Sequence, residues 1–288
     1  MKSKNAMTVI IILISIIGLS LLLYPTVSDY VNSLNQSRAI ASYAESVEKM
    51  DSNECNQIIS EAKEYNKGLA GRARMFHLDK EQAKKYPNML SVPDSDVIAY
   101  IEIPKINCNL PVYHGTDEAV LAVAAGHVEW SSLPVGGESS HCVISGHRGL
   151  PSAKLFTNLD QMETGDKFVI RVLNLILTYE VDQILIVKPD DVGELTIKSG
   201  KDYCTLVTCT PYGVNSHRLL VRGHRIENTS EANAISVTSD AIAIEPLIVA
   251  PLIGLPILIV LLIIVLIRIK RPEGRKLKRE GGTFHERS

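Results

Sequence analysis

A cysteine and an arginine in the C-terminal part of a β-rich region are the first candidates for chemistry in this sequence. The segment Asp202–Ile226 reads DYCTLVTCTPYGVNSHRLLVRGHRI, and its first β-branched, apolar run ends at Cys209. Residues 210–213, Thr-Pro-Tyr-Gly, have the spacing of a type I turn. Arg218 then begins a second alternating run. If the two runs pair as an antiparallel hairpin, Cys209 and Arg218 face each other across it.

This pairing would suit a nucleophilic thiol. The thiolate is the reactive form of cysteine, and a nearby guanidinium lowers the thiol pKa or holds a developing oxyanion. Arginine stays charged at every relevant pH, so it does this without titrating. Two plainer interpretations stay open at this point. Cys209 could be a small buried hydrophobe, and Arg218 a solvated surface charge.

A nucleophilic cysteine usually needs an acid/base partner, most often histidine. Spacing alone does not choose among the six histidines of the β-rich region, which are His114, His127, His141, His147, His217 and His224. His147 has the best local setting, because it follows a strand-like run within the segment SGHRG, whose glycines allow a sharp turn. His217, beside Arg218, is the alternative.

Cysteine spacing and charge exclude several other classes of protein. The five cysteines form an odd set without a Cys-x-x-Cys pair, which disfavours a disulfide framework or a zinc ribbon. A group of His127, His141, Cys142 and His147 matches no metal-ligand spacing. We therefore predict no metal and no cofactor. The formal net charge of −2 gives no sign of a surface for nucleic acid.

Two apolar runs predict a membrane protein. Residues 7–25 follow a short basic N-terminus (1–6) and are not followed by small residues typical of a signal cleavage site, so we predict an uncleaved anchor. A cleaved signal peptide is the alternative. Residues 246–267 carry no charge and can cross about 30 Å of hydrocarbon. A buried core helix is disfavoured there by Pro251, Pro256 and the basic tail 268–288. Because lysine and arginine mark the cytoplasmic side, both ends should lie inside the cell and the middle outside.

Between the apolar runs the sequence changes from helical to β-type texture. Residues 26–90 are predicted as an extracellular helical stalk or cover, within which residues 29–71 predict two amphipathic helices that break near residues 51–53. Residues 91–228 form the predicted catalytic domain, a mainly β barrel or sandwich, and residues 229–245 are a polar linker. Strands are predicted at 97–103, 111–113, 141–145, 167–172, 175–182, 184–188, 202–208 and 219–226, and short helices at 119–130 and 152–162.

The motifs together resemble the sortases. Thr205 to Cys209, TLVTC, is similar to the TLxTC nucleophile motif of that family, and the segment SGHRG resembles the one that bears its histidine. Arg218 lies where the family has its essential arginine, and the order of the three residues also matches. The resemblance covers about residues 90–228, and the combined motifs are highly specific.

The resemblance implies a closed, mainly β, eight-stranded barrel that cleaves an LPxTG-like sorting signal between threonine and glycine. Cys209 would form a thioacyl intermediate, His147 would act as general acid and base, and Arg218 would stabilise the oxyanion. The partners would be pilin or surface-protein substrates and an amine acceptor, either a pilin lysine or a cell-wall precursor.

A longer string, TCTPYGVNSHRLLVRGHRI, and the second apolar run with its basic tail are similar to the pilus-assembling class C branch. Class C enzymes usually carry an N-terminal lid with an Asp-Pro-aromatic plug over the active site. This sequence has no Asp-Pro dipeptide, so we do not expect plug-type autoinhibition, and residues 71–93 could be a different lid or no lid. The alternatives to pilin polymerisation are cell-wall anchoring of surface proteins, a cysteine peptidase that only hydrolyses, and a non-catalytic scaffold.

Overall fold

A closed eight-stranded barrel is the main feature of the computed structural model, which describes residues 2–70 and 76–228. The strands are β1 (Val97–Ile103), β2 (Cys108–His114), β3 (Ala125–His127), β4 (Ser140–Ser145), β5 (Lys167–Val172), β6 (Leu175–Val187), β7 (Asp202–Thr210) and β8 (His217–Ile226). The helices are α1 (Lys2–Lys49), α2 (Ser52–Leu69), α3 (Lys80–Lys85) and α4 (Glu118–Leu121), and short 3-10 turns lie at Tyr86–Asn88, Pro104–Ile106, Leu159–Gln161 and Gly193–Leu195. The prediction of a mainly β, eight-stranded barrel with short helices is confirmed.

The strand order around the barrel is β1-β2-β3-β4-β7-β8-β6-β5, and pairing of β1 with β5 closes it. Neighbouring strands are antiparallel except in the pairs β2/β3 and β4/β7, which are parallel. Because side chains alternate across a strand, Cys204 and Leu206 of β7 join the main core, whereas Val207 joins a second apolar cluster on the other face. The face of β7 that carries Cys209 is thus the outer one.

The N-terminal helices cover the barrel. The chain divides into two compact units, and residues 22–228 lie in the second, so α1 begins in the first. Tyr43 of α1 and Ile59 and Ala62 of α2 are buried in the main core. Asp51 caps α2 by accepting a hydrogen bond from the Asn53 backbone N–H, which confirms the predicted break between two helices. Of the two predicted roles, a stalk or a cover, the second fits these contacts.

The membrane prediction is tested only at the N-terminal end. Within the described residues, one helix contains a stretch long and apolar enough to cross a membrane, Ile14–Lys49 of α1, and a signal sequence would meet the same criterion. The predicted linker 229–245, second membrane helix 246–267 and basic tail 268–288 lie outside the described residues. The domain boundaries therefore stay predictions.

Two predicted helices are wrong. In the range 119–130 the helix α4 ends at Leu121, and Ala125–His127 is instead a buried strand that pairs with β2 and β4. In the range 152–162 the helical residues are the short 3-10 turn Leu159–Gln161, and Leu155 has a φ of 41°, which a right-handed helix does not allow.

One predicted strand boundary is also wrong. The two segments 175–182 and 184–188 form the single strand β6, whose pairing with β8 shifts register between Val181 and Gln183. A register shift of this kind interrupts the alternation that sequence analysis relies on.

Candidate active site

Cys209 and Arg218 are directly opposite each other in the antiparallel pair β7/β8, as the hairpin hypothesis predicted. Both side chains therefore lie on the outer face, and both residues are half-buried. The predicted turn at residues 210–213 is wrong by one position. Strand β7 continues through Thr210, and the turn is closed by a hydrogen bond from Val214 N–H to the Pro211 carbonyl of 3.1 Å.

His147 follows β4, the other neighbour of β7. These two strands are parallel, and Ser145 pairs with Val207. The pairing continues for another residue, since Gly146 N–H donates to the Val207 carbonyl (3.0 Å) and the Thr208 hydroxyl donates to the Gly146 carbonyl (2.8 Å). Extending the same register by two positions beyond Ser145 and Val207 sets His147 level with Cys209. Three neighbouring strand ends thus bring the sequence-predicted site residues into one row.

His217, the alternative to His147, lies on the other face of the sheet. His217 pairs with Thr210, one position away from the pair of Arg218 and Cys209. Because successive side chains point to opposite faces, this pairing puts His217 on the face opposite to Cys209. The His217 Nδ1 atom lies 2.9 Å from the Ser216 hydroxyl.

The other four histidines of the β-rich region lie away from this row. His224 pairs with Tyr203, six positions along β7 from Cys209 and thus about 20 Å away. His141 is buried between the Thr205 hydroxyl (2.7 Å) and the Thr196 carbonyl (2.9 Å), and burial lowers its pKa to about 4.

His114 and His127 pair across β2 and β3 beside the buried Tyr86. The Tyr86 hydroxyl lies 2.9 Å from His127 Nδ1, and burial lowers the pKa of His114 to about 4. These two imidazoles therefore belong to the packing of the barrel. Of the six histidines of the β-rich region, His147 remains the one in line with Cys209.

The cysteines separate in the same way. Cys55, Cys142 and Cys204 are buried, and burial holds the pKa of Cys204 well above its ordinary value. Burial raises the pKa of the Cys108 thiol to about 12. Cys209 is half-buried on the outer face of the sheet. It is therefore the thiol best placed to act as a nucleophile.

Arg218 is held by its own loop. Its Nη1 atom donates to the carbonyls of Asn215 (3.2 Å) and His217 (3.1 Å). Two backbone contacts restrict a long side chain that would otherwise sample many rotamers. The guanidinium is thus pre-oriented at the edge of the row, where a fixed positive charge can act on an anion.

Sequence analysis missed the residues that support this row. Arg148 forms an ion pair with Asp160, donates to the Thr210 hydroxyl (3.5 Å) and lies 5.8 Å from the centre of the Tyr212 ring. Gly149, at a φ of 75°, lies against the same ring, where an added Cβ would come within 2.9 Å of a ring carbon. The Arg-Gly pair after His147 was the available signal in the sequence. The residues that Arg148 contacts lie 12 or more positions away, so the sequence did not identify them.

A buried apolar cluster lies next to the row, on the outer face of the sheet. Val207 lies two positions from Cys209 and packs with Val143, Leu195 and Leu220. Five partly buried hydrophobic residues border this cluster: Val128, Trp130, Leu185, Val187 and Val192. Trp130 also stacks edge-on with Phe76, at a centroid distance of 5.1 Å. Within residues 2–70 and 76–228 no group of three or more histidine, cysteine or carboxylate side chains could hold a metal ion.

Comparison with known proteins shows which family this chain is similar to. Residues 101–226 match the family model described as the sortase domain. Sortase D of Bacillus subtilis (strain 168) is 33% identical over 129 residues, which are 44% of this chain and 62% of that protein. Sortase A of Staphylococcus aureus (strain NCTC 8325 / PS 47) is 34% identical over 142 residues, covering 46% and 67%. The chain spans 62% and 55% of the length of two curated relatives, Sortase D and the Sortase A of Streptococcus agalactiae serotype III (strain NEM316).

Solved structures give the same result at higher identity. The crystal structure of sortase C1 from Streptococcus agalactiae is 51% identical, with a TM-score of 0.63, and the match covers 67% of this chain and all of that one. Sortase C of Streptococcus pneumoniae is 45% identical, with a TM-score of 0.61 and coverage of 67% and 98%. The chain belongs to the sortase family of cysteine transpeptidases, and its likeness to the sortase C structures assigns it to the class C type.

Proposed function

We propose that this protein is a membrane-anchored transpeptidase that cleaves an LPxTG-like sorting signal after threonine and joins the threonine to an amine. The observation that carries the proposal is the row formed by Cys209 and Arg218 on paired strands, with His147 in register beside them. A nucleophile, an acid/base group and a fixed cation are the three parts that acyl transfer requires.

The chemistry proceeds in two steps. The Cys209 Sγ atom attacks the threonine carbonyl carbon, and the amide bond to the next residue breaks as the leaving amine takes a proton from His147. A thioacyl intermediate remains on Cys209. The incoming amine gives a proton to His147 and attacks the same carbon, and Sγ leaves as the thiolate. Arg218 stabilises the oxyanion of each tetrahedral intermediate.

The apolar cluster around Val207 supports an extended, partly apolar substrate. It lies about two residues, or roughly 7 Å, along β7 from Cys209, which is the repeat of side chains on one face of a strand. The leucine and proline of a sorting signal would pack against the partly buried side chains that border this cluster, such as Leu185 and Val187, while the threonine carbonyl reaches Cys209.

For the acceptor we propose a lysine amine of a pilin subunit, so that the product is a covalent polymer. The supporting observation is the likeness to sortase C enzymes, one of which is described as sortase C1 of the GBS pilus island 1. We further propose the predicted arrangement in the membrane, with residues 7–25 and 246–267 as membrane helices and the catalytic domain on the extracellular face.

The test uses the full chain in detergent, a sorting-signal peptide and an added amine. Cys209→Ala should abolish product formation, and His147→Ala should lower the rate about 10²- to 10⁴-fold. Arg218→Ala should lower it about 10²- to 10³-fold. His217→Ala is the matched control and should keep its activity. An active Cys209→Ala variant would refute the proposal, and a His217→Ala variant as impaired as His147→Ala would refute the choice of base.

The products separate the remaining functions. Incubation with pilin subunits should give covalent ladders that disappear in Cys209→Ala. A single transfer to a wall precursor would instead support anchoring of surface proteins, and free acid in the presence of excess amine would support a hydrolase.

A further inference from the structure

The face of α1 that packs on the barrel changes character along the helix. In its C-terminal half the packed side chains are apolar, as with Ile40 and Tyr43, both of which are buried. Nearer the apolar run, the half-buried positions on this face are Asp29, Asn32 and Gln36, which follow the same helical spacing. Apolar side chains would hold a helix against a barrel equally well, so three polar side chains in this position need another explanation.

Two of these polar side chains bind a single turn. Asn32 Nδ2 donates to the Ser152 carbonyl at 2.7 Å, and the Lys154 backbone N–H donates to Asp29 Oδ1, also at 2.7 Å. Asp29 Oδ2 lies 3.8 Å from the Lys154 ammonium. The turn is closed by a bridge between Leu150 and Ala153, so that Ser152 lies at its tip and Lys154 directly follows it. Both contacts involve backbone atoms, so they fix the path of the chain as well as the position of a side chain.

The turn is directly connected to His147. Phe156 N–H donates to the His147 carbonyl at 3.1 Å, and Gly149 N–H donates to the Thr157 hydroxyl, also at 3.1 Å. The Phe156 ring is fully buried. The chain therefore leaves His147, reaches α1 and returns to the His147 backbone, so that the loop 147–157 is held both at its base and at its tip.

We propose that Asp29 and Asn32 are positioning residues for His147, so that the helix emerging from the membrane anchor sets the place of the acid/base group. This inference rests on the role proposed above for His147. Hydrogen bonds from α1 define where the tip of the loop lies, and the loop defines where the His147 backbone lies. Proton transfer depends on the heavy-atom separation to within a fraction of an ångström, so a loosened tip slows the chemical step.

The test compares variants of the full chain in detergent. Asp29→Ala/Asn32→Ala removes both hydrogen bonds to the turn. Gln36→Ala is the matched control, because Gln36 Nε2 donates to the Val123 carbonyl at 2.7 Å and so makes the same kind of contact with a different segment. We expect the double variant to lose about 10- to 100-fold in kcat with KM unchanged, and Gln36→Ala to keep the parental kcat. Asp29→Asn keeps an acceptor oxygen for the Lys154 N–H and should retain most of the activity.

Each outcome supports or overturns the inference. An unchanged kcat in the double variant would overturn it, as would an equal loss in Gln36→Ala, which would indicate general loosening of α1. A loss confined to KM would also overturn it, because a positioning role acts on the chemical step. If His147→Ala stays active while Cys209→Ala does not, the proposed role of His147 fails. If His147→Ala is inactive but the double variant has the kcat of the parent chain, only the inference about Asp29 and Asn32 fails.

Discussion

Gly146 should not tolerate even a methyl group, although its backbone conformation is open to any residue. A Cβ at this position would come within 2.6 Å of Phe156 Cδ2 and 2.9 Å of Phe156 Cγ. The Phe156 ring is completely buried, so it cannot move away without displacing the core around it. Gly146→Ala therefore tests a steric contact at the base of the loop that carries His147.

The expected magnitude follows from two opposing effects. Overpacking of a buried site costs about 1–3 kcal/mol. The lower entropy of the unfolded chain with alanine returns about 0.4–1 kcal/mol. With the middle of each range, the net loss in the free energy of unfolding should be about 1.3 kcal/mol, or about 3–5 °C in the melting temperature for a unit of this size. The rate of transfer should also fall, because the Gly146 carbonyl accepts the hydrogen bond from the Thr208 hydroxyl that joins β4 to β7 beside His147.

Urea unfolding and the transfer assay together provide the measurement. Gly193→Ala is the matched control, since the nearest atom to its added Cβ is Asp191 Oδ1 at an ordinary 3.6 Å, and it should change stability by less than about 0.5 kcal/mol. Phe156→Leu in the Gly146→Ala background should recover part of the loss by making room for the methyl group. If Gly146→Ala is as stable and as active as the parent chain, the steric argument is wrong.

Three further predictions concern stability. Because burial lowers the pKa of His141 to about 4, the unfolded chain binds the proton first as the pH falls. The free energy of unfolding should fall by up to about 3 kcal/mol between pH 6.5 and 4, and His141→Gln should show a shallower decline in the urea midpoint. Asn66→Leu should cost about 2–4 kcal/mol in the same assay at pH 7, because the amide binds both the N–H and the carbonyl of Leu133. Arg222→Lys should cost about 1–2 kcal/mol by loss of the two-point ion pair with Asp182. If His141→Gln and the parent chain show the same decline in urea midpoint with falling pH, the argument from His141 is wrong. If Asn66→Leu or Arg222→Lys leaves the free energy of unfolding unchanged, the corresponding contact does not stabilise the fold.

Much of the barrel could be predicted because its strands carry their own signal. Val97–Ile103 and Lys167–Val172 have the bounds that their β-branched, apolar texture predicts. The strand β3 could not be found in this way, since Ala125–His127 is short and has no β texture. It becomes a strand only because β2 and β4 supply partners on both sides, and such partners are not visible in a local window.

Those parts of the candidate site that depend on contacts between nearby residues could be predicted from the sequence, and those that depend on distant residues could not. The facing of Cys209 and Arg218 follows from a hairpin, whose register is set by nearby residues. The alignment of His147 depends on the parallel pair β4/β7, and the spacing of histidines could not select it over His217. The family resemblance supplied that choice, whereas the support by Arg148 and the docking of α1 became visible only with the folded chain.

The long sequence separation between β4 and β7 also predicts the order in which the strands pair during folding. The hydrogen bond from Thr208 to Gly146 spans 62 positions of the chain, whereas β7 and β8 are joined by one short loop. A hairpin forms within about 1–10 µs, but contacts between distant segments wait for closure of much longer loops. During refolding, Cys209 and Arg218 should therefore meet before Cys209 and His147 do. If His147 has the role proposed above, transfer activity should recover only after the β7/β8 hairpin has formed.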